Sequence, residues 1–266
     1  MRIKYNGCII ESSSIDLKSF RLLHDEDADI RYVNGFSACD DYLLQDGDEV
    51  VLIKRGRKPS SETLEHLMAS RHTPKVHEQM KASTVGIAGV GGLGSNAVLA
   101  LARMGVGRLV IVDFDVVEPS NLNRQAYFIE HLGLLKVDAM KELVSKVNPY
   151  IVVECHHVKV DEKNAVSLFE GCDVVIEAFD DPKSKAMLVS ELLTHCKMPI
   201  VAGSGMAGTL SSNTIETTRR FDRLYLVGDL VTGAKEHMGL MAPRVMVASA
   251  HQANMAVRLI LGEKET

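Results

Sequence analysis

Six residues, Gly89-Val90-Gly91-Gly92-Leu93-Gly94, hold four glycines and separate the apolar run Thr84 to Ala88 from an Ala- and Leu-rich segment that opens at Ser95. The order is strand, tight turn, helix. Glycine turns the backbone through positive φ without penalty and lets it approach a bound group closely. The first turn of the helix that follows carries N–H groups with no internal acceptor, which favours an anion there. The Gly-x-Gly-x-x-Gly spacing is thus a candidate phosphate cradle, although a glycine cluster by itself is also an ordinary turn.

The chain after the cradle continues the alternation. Asn96 to Met104 places Val98, Leu101 and Ala102 at helical spacing, and Arg108 to Val112 is an apolar strand ending on Asp113. Lys136 to Val147 carries Val137, Met140, Val144 and Val147 on one helical face. Strand Ile151 to Glu154, a short helix near Asn164 to Phe169, strand Val174 to Ala178, helix Ser184 to His195 and strand Ile200 to Ala202 follow, and then Gly203 to Gly208. This pattern predicts an α/β fold with a Rossmann-like, mostly parallel sheet and helices on both faces. Thr209 to Thr217 and Leu224 to Val227 read as later antiparallel strands. Met246, Ala250, Ala253, Val257 and Ile260 read as the apolar face of a terminal helix.

Upstream, residues 1–56 read as a small β-rich module. Asn6-Gly7 and Asn34-Gly35 are hairpin signals, and Ile15 to Leu23 forms a helix with Leu17, Phe20 and Leu23 turned inward. Strands and one helix in this length suit a β-grasp, ubiquitin-like module. Residues 57–82 read as a linker and a helix running from Ser60/Ser61 towards Ser70, followed by a polar stretch to Ser83, and 83–266 as the nucleotide-binding domain.

Composition removes several classes of function. A net charge of −5 over 266 residues gives no basic field for a polynucleotide, so nucleic acid is an unlikely partner. No apolar run reaches membrane-spanning length and the amino terminus lacks a signal-peptide core, so a cytoplasmic location and no membrane partner are expected. The five cysteines include no Cys-x-x-Cys pair, which argues against a disulfide framework or a four-cysteine zinc site; four of them are expected as small core residues.

In a doubly wound sheet, ligands lie beyond the carboxyl ends of the strands. The glycine cradle, Asp113, Asp180 with Asp181, and Gly203 to Gly208 all fall at such ends. Asp113 lies 113 − 94 = 19 residues past Gly94, a spacing at which a carboxylate accepts ribose hydroxyls. The stretch after it brings Arg124 and Lys136. A nicotinamide enzyme has little use for two cations at the phosphates, whereas attack at an α-phosphate builds charge on its oxygens and on leaving pyrophosphate. Arg219, Arg220 and Arg223 are read as an exposed cluster, with contact to a partner's tail as the alternative.

Gly89-x-Gly91-Gly92-x-Gly94-Ser95, Asp113-x-Asp115, Asn121-x-x-Arg124-Gln125, Gly133-x-x-Lys136, Asp180 and Gly239-Leu240-Met241-Ala242-Pro243 resemble, in that order, the ThiF/MoeB/HesA family, bacterial relatives of ubiquitin-activating enzymes. The resemblance covers about Arg71 to Gly262 and is nearest to ThiF-type sulfur carrier protein adenylyltransferases. It implies an enzyme that uses ATP to adenylylate the C-terminal glycine carboxylate of a ThiS-like ubiquitin-like carrier, releasing pyrophosphate, in thiamine thiazole formation or related sulfur transfer. It further implies that Gly91 and Gly92 line the nucleotide, Asp113 holds the ribose, Asn121, Arg124 and Lys136 contact phosphates, and Asp180 holds Mg²⁺. Gly89, Gly94, Asp115 and Gln125 complete the nucleotide-binding set, with Arg124, Lys136 and Asp180 as the catalytic members. Arg71 matches an arginine lent across a homodimer.

Three departures stand out. Phe221 to Asp229 and Gly233 to Met241 lack the cysteine pairs that hold structural zinc in relatives, so zinc is unlikely. Gly203 to Thr266 contains no cysteine for a covalent sulfur-transfer step, so the chemistry is expected to stop at the adenylate unless a sulfur donor protein takes part. The first 56 residues resemble ThiS in Asp29 to Gly35 and Gln45 to Val50 but run into Arg55-Gly56-Arg57 without a free Gly-Gly end. A tRNA threonylcarbamoyladenosine dehydratase-like enzyme and a non-catalytic carrier-binding or regulatory module remain the alternatives.

Overall fold

The computed structural model describes residues 1–69 and 74–266, so Arg71 lies outside the described residues. Two compact units are present, Met1–Pro74 and Lys75–Thr266.

The first unit is a β-grasp. Strands β1 (Arg2–Tyr5), β2 (Cys8–Glu11), β3 (Ile30–Val33), β4 (Phe36–Ser37) and β5 (Glu49–Ile53) form one sheet in the order β2-β1-β5-β3-β4, with helix α1 (Leu17–His24) between β2 and β3 in sequence. β1 and β5 pair in parallel at the centre. Both Asn-Gly turns take the positive φ that tight hairpins need. Asp16 starts α1 by accepting the Ser19 N–H at 2.7 Å. Leu17 and Phe20 are buried with Ile3, Val33, Val50 and Leu52, but Leu23, expected beside them, is 69% exposed. The inward stripe steps from Phe20 to His24 instead, whose ring stacks on Phe20 and Tyr5 at 4.4 and 5.3 Å. Helix α2 (Ser61–Ala69) closes the unit's described part.

The polar stretch before Ser83 is in fact a helix, α3 (Pro74–Ala82), through which Met80, fully buried, and Val76 enter the core of the second unit. Its exposed polar faces hid it from a reading based on apolar periodicity.

The second unit follows with β6 (Thr84–Ala88), α4 (Gly92–Met104), β7 (Arg108–Val112), α5 (Lys136–Val147), β8 (Val152–His156), α6 (Ala165–Phe169), β9 (Val174–Glu177), α7 (Pro182–His195), β10 (Ile200–Gly203), β11 (Glu216–Phe221), β12 (Leu224–Gly228) and α8 (Ala242–Ile260). Seven strands run in the order β11-β12-β10-β9-β6-β7-β8. Every adjacent pair is parallel except β11 with β12. The six parallel strands therefore stand in the spatial order third, second, first, fourth, fifth, sixth, the dinucleotide-fold arrangement, with its switch point between β6 and β9. Helices α4, α5 and α8 cover one face, α6 and α7 the other. β6 and β9, central to the sheet, are apolar on both faces, as parallel strands buried on both sides must be.

Three details differ from expectation. Leu224–Gly228 pairs in parallel with β10, because an apolar run encodes extension and not direction. Residues 209–215 form no strand: the Leu210 and Ser211 carbonyls, which a sheet ladder would have used, accept from the Arg244 guanidinium instead. The buried stripe of α8 is Val245, Ala248, Ser249, Gln252, Ala253, Met255 and Ala256; the expected Ala253 is buried and Val257 and Ile260 pack against the core, while Met246 and Ala250, also expected inside, are exposed. Ser249 and Gln252 can occupy this stripe because Ser249 donates to the Leu93 carbonyl at 2.7 Å and Gln252 to the Glu177 carbonyl at 2.9 Å. Of the cysteines, Cys172 alone is buried; Cys8 and Cys39 are exposed, and Cys155 and Cys196 are partly so. No helix among the described residues is long and apolar enough to cross a membrane.

Candidate active site

The cradle is shaped by two close approaches. Gly89 has φ +89°, and a Cβ there would sit 3.1 Å from the Ala178 carbonyl oxygen, across the switch point. A Cβ on Gly94 would sit 1.8 Å from the Gly89 carbonyl oxygen, so the helix presses directly on the strand end. No side chain caps α4, and the first-turn N–H groups of Gly92, Leu93 and Gly94 have no intrahelical acceptor. Beside them Asp113, at the end of β7, accepts the Val90 and Asp115 N–H groups at 2.8 and 2.9 Å. Burial raises its pKa, against the pull of Lys136 and those two N–H groups.

The segment from Asp115 to Lys136 is fastened over the start of α4. Asn121 takes the Glu118 N–H at 3.0 Å and its carbonyl receives the Gln125 N–H at 2.9 Å, folding a turn that delivers Arg124 and Gln125. Ser95 Oγ accepts the Ala126 N–H at 3.0 Å, and Asn96 Nδ2 donates to the Gly92 and Arg124 carbonyls at 2.7 and 3.2 Å. The buried Tyr127 hydroxyl donates to the Val90 carbonyl at 2.7 Å, and burial pushes its pKa upward. The aliphatic stem of Arg124 consequently crosses Gly92, its Cγ 3.6 Å from where a Cβ there would stand. Arg124 Nη1 donates to Asn123 Oδ1 at 2.8 Å, but its buried Nε and the buried Oε1 of Gln125 have no hydrogen-bond partner. Buried polar atoms are almost always paired, so two orphans beside a helix amino terminus mark a place where a polar ligand completes the structure. Lys136 is buried, with Nζ 2.7 Å from Asp115 Oδ2.

The other lip of the switch point follows β9. Asp181 caps α7, accepting the Ser184 N–H and hydroxyl at 2.8 and 2.7 Å, and those bonds hold its pKa down. Asp180, exposed, has no hydrogen bond or ion pair among the described residues. Glu177, which sequence reasoning passed over as the tail of an apolar run, is fully buried with its carboxylate 2.5 Å from Lys185 Nζ and accepts the Phe179 N–H at 2.7 Å. Burial raises the Glu177 pKa, while Lys185 and the backbone N–H groups oppose that.

A second buried pair was also missed. Arg244, on the first turn of α8, lies 2.5 Å from Asp229 and holds the Leu210 and Ser211 carbonyls and Thr214 Oγ1. Burial alone would raise the Asp229 pKa; the Thr232 hydroxyl and N–H, the Val231 N–H and Arg244 outweigh it and lower it from 3.8 to about 2. A folded-state pKa below the unfolded value stabilises the fold above pH 4 and is lost as pH falls towards 2, an increment of about 2 kcal/mol. Acid unfolding of Asp229→Asn should start from lower stability at pH 7 and decline less than the native chain between pH 4 and 2; parallel profiles would contradict this. Arg223, expected in an exposed cluster, instead donates to the Leu193, Cys196 and Met198 carbonyls at 2.9, 2.8 and 3.3 Å, closing the end of α7.

Gly89, Gly91, Gly92, Gly94, Asp113, Asp115, Asn121, Arg124, Gln125 and Lys136 thus gather around the start of α4, and Asp180 follows the neighbouring strand across the switch point. Among the described residues no three His, Cys, Asp or Glu side chains are grouped to hold a metal ion. A cavity of about 490 Å³, lined by Ser83, Asp173, Pro199 and Tyr225, lies at the opposite, amino-terminal end of the strands and includes none of these groups.

Comparison with known proteins gives the family of each part of the chain. The ThiF family profile matches residues 64–266 and the ThiS-like ubiquitin profile residues 1–56. The adenylyltransferase and sulfurtransferase UBA4 of Eremothecium gossypii is 33% identical over 192 residues, covering 69% of this chain but only 43% of that protein's length. The molybdopterin-synthase adenylyltransferase of Haemophilus influenzae is 32% identical over 191 residues, covering 69% of this chain and 77% of that protein. Among solved structures, E. coli tRNA N6-threonylcarbamoyladenosine dehydratase in complex with ATP superposes with a TM-score of 0.67 at 22% identity, over 73% of this chain and 92% of that one, a likeness of fold. The chain belongs to the ThiF family and carries a ThiS-like ubiquitin module ahead of its ThiF domain.

Proposed function

We propose that the chain is an ATP-dependent adenylyltransferase that activates the C-terminal glycine carboxylate of a ThiS-like sulfur carrier. The observation that carries the reading is the gathering of orphaned Arg124 Nε, orphaned Gln125 Oε1 and the uncapped first turn of α4 at one point of the switch-point cleft. The helix N–H groups and the guanidinium donate to the negative oxygens of a polyphosphate, the Gln125 Oε1 is left to accept from a ligand hydroxyl or N–H, and Asp113 stands at the neighbouring strand end for the ribose. Relatives named for adenylyl transfer support the same chemistry. The carrier carboxylate, already ionised, forms an O–P bond at the α-phosphorus, the bond to the β-phosphate bridging oxygen breaks, and pyrophosphate leaves with the electron pair. Arg124 and the α4 N–H groups lower the barrier by meeting the charge that grows on those oxygens. Lys136, held by Asp115, keeps a cation near the same phosphates. Asp180, exposed and without a partner, suits Mg²⁺, which when bound neutralises phosphate charge. Residues 1–56 act as a module apart from the adenylyltransferase domain, whose core takes in α3, and a separate protein donates sulfur.

A homodimer is part of the proposal. Val116, Ile129, Leu132 and Leu134 form an exposed apolar group on the segment that follows β7 and carries Arg124, a surface that favours burial against a second copy. Light scattering should give twice 29.2 kDa, and a monomeric mass would contradict this part. The activity itself is tested by mass spectrometry of a Gly-Gly-ended carrier incubated with the chain and ATP. One AMP on the terminal glycine is the expected product; a carrier left unmodified counts against the proposal.

A further inference from the structure

Glu177 has more partners than a strand-end residue needs. Its carboxylate accepts the Phe179 N–H at 2.7 Å and receives Lys185 Nζ at 2.5 Å. Its backbone carbonyl accepts Gln252 Nε2 at 2.9 Å, and the same amide donates to the Val201 carbonyl at 3.2 Å. The fully buried Glu177 therefore ties β9 to α7 through its carboxylate and to α8 through its backbone carbonyl. A buried carboxylate is costly unless every oxygen is satisfied, so this arrangement is held only at sites where the geometry it fixes matters, or where loss of one partner is strongly destabilising.

What it fixes is the turn after β9. Phe179 lies against the glycine cradle, its ring carbon 3.1 Å from where a Cβ on Gly89 would stand, and Asp180 is the next residue. We propose that Glu177 is a positioning residue: by gripping the Phe179 N–H it sets where Asp180 stands relative to the glycine cradle, and through Lys185 it ties that turn to α7. The inference rests on the reading of Asp180 as the residue that holds the divalent cation, and it makes Glu177 the support behind that residue.

The test uses the full chain with Mn²⁺ as the probe cation and a non-hydrolysable ATP analogue, reading Mn²⁺ affinity by electron paramagnetic resonance and amide protection by hydrogen exchange. Asp180→Ala should weaken Mn²⁺ by about 10-fold or more and leave the Phe179 amide protected. Glu177→Gln, nearly isosteric, should expose the Phe179 amide and weaken Mn²⁺ by about 10-fold, in the range that lost support behind a metal ligand gives, with metal-free nucleotide affinity kept within about twofold. Glu177→Asp keeps the charge but withdraws it by one methylene; it should show the same losses to a smaller degree, and it serves if the Gln variant does not fold. A loosened Phe179 amide with native Mn²⁺ affinity, alongside an effective Asp180→Ala, would overturn the positioning role and leave the Asp180 reading intact. Native Mn²⁺ affinity in Asp180→Ala would instead overturn the Asp180 reading and the inference that rests on it.

Discussion

Arg124→Ala lowers ATP–pyrophosphate exchange by about 100-fold or more, the scale set by removing one preorganised donor from a site of developing charge. The fold survives, because Arg124 contributes hydrogen bonds only to its own turn, to Ser120 and Asn123, and the segment is fastened independently through Ser95, Asn96 and Tyr127. Urea unfolding should therefore stay within about 1 kcal/mol of the native chain, as for a change that opens no core cavity. That split separates the functional role from a structural one. Native exchange rates in a folded Arg124→Ala variant would remove this residue from the site, and with it the strongest reason to place the phosphates there.

The second large effect is structural. Gly94→Ala puts a methyl group 1.8 Å from the Gly89 carbonyl oxygen, a backbone atom that cannot rotate away. Alanine's better helix propensity favours the substitution by about 1 kcal/mol, yet overpacking of a fixed contact costs about 1–3 kcal/mol and sometimes more. The clash should win, because relieving it requires α4 to back away from β6 and the cradle to open. Expected results are a loss of about 2 kcal/mol in urea unfolding together with loss of nucleotide binding. A variant as stable as the native chain that still binds ATP would show that helix and strand do not press together here as described.

Much of this site was legible because it is written in backbone chemistry. Glycines at Gly89 and Gly94, a carboxylate at Asp113 and the strand–helix alternation each follow from local rules, and the alternation implies a mostly parallel, doubly wound sheet without fixing its strand order. What escaped was whatever depends on a distant partner. Glu177 ends an apolar run, and only its contacts with Lys185 and the Phe179 N–H explain a charge there. Arg244 and Asp229 are 15 positions apart and show no motif, yet they hold the segment that was expected to be a strand. The first half of the α8 stripe is misphased by Met246 and Ala250, because Ser249 and Gln252 count as polar in any periodicity, although the carbonyls they meet make their burial favourable. The resemblance implies Lys136 at the phosphates; its contact with Asp115 is visible only in the structure.

The central claim, that this cleft activates a carrier's terminal carboxylate at the α-phosphorus of ATP, meets its most direct test in isotope exchange between pyrophosphate and ATP with the purified chain and Mg²⁺. Exchange should depend on a ThiS-like carrier ending in Gly-Gly and vanish when the terminal glycine is removed. Exchange that runs equally well without any carrier, or none with any Gly-Gly-ended carrier, would contradict it.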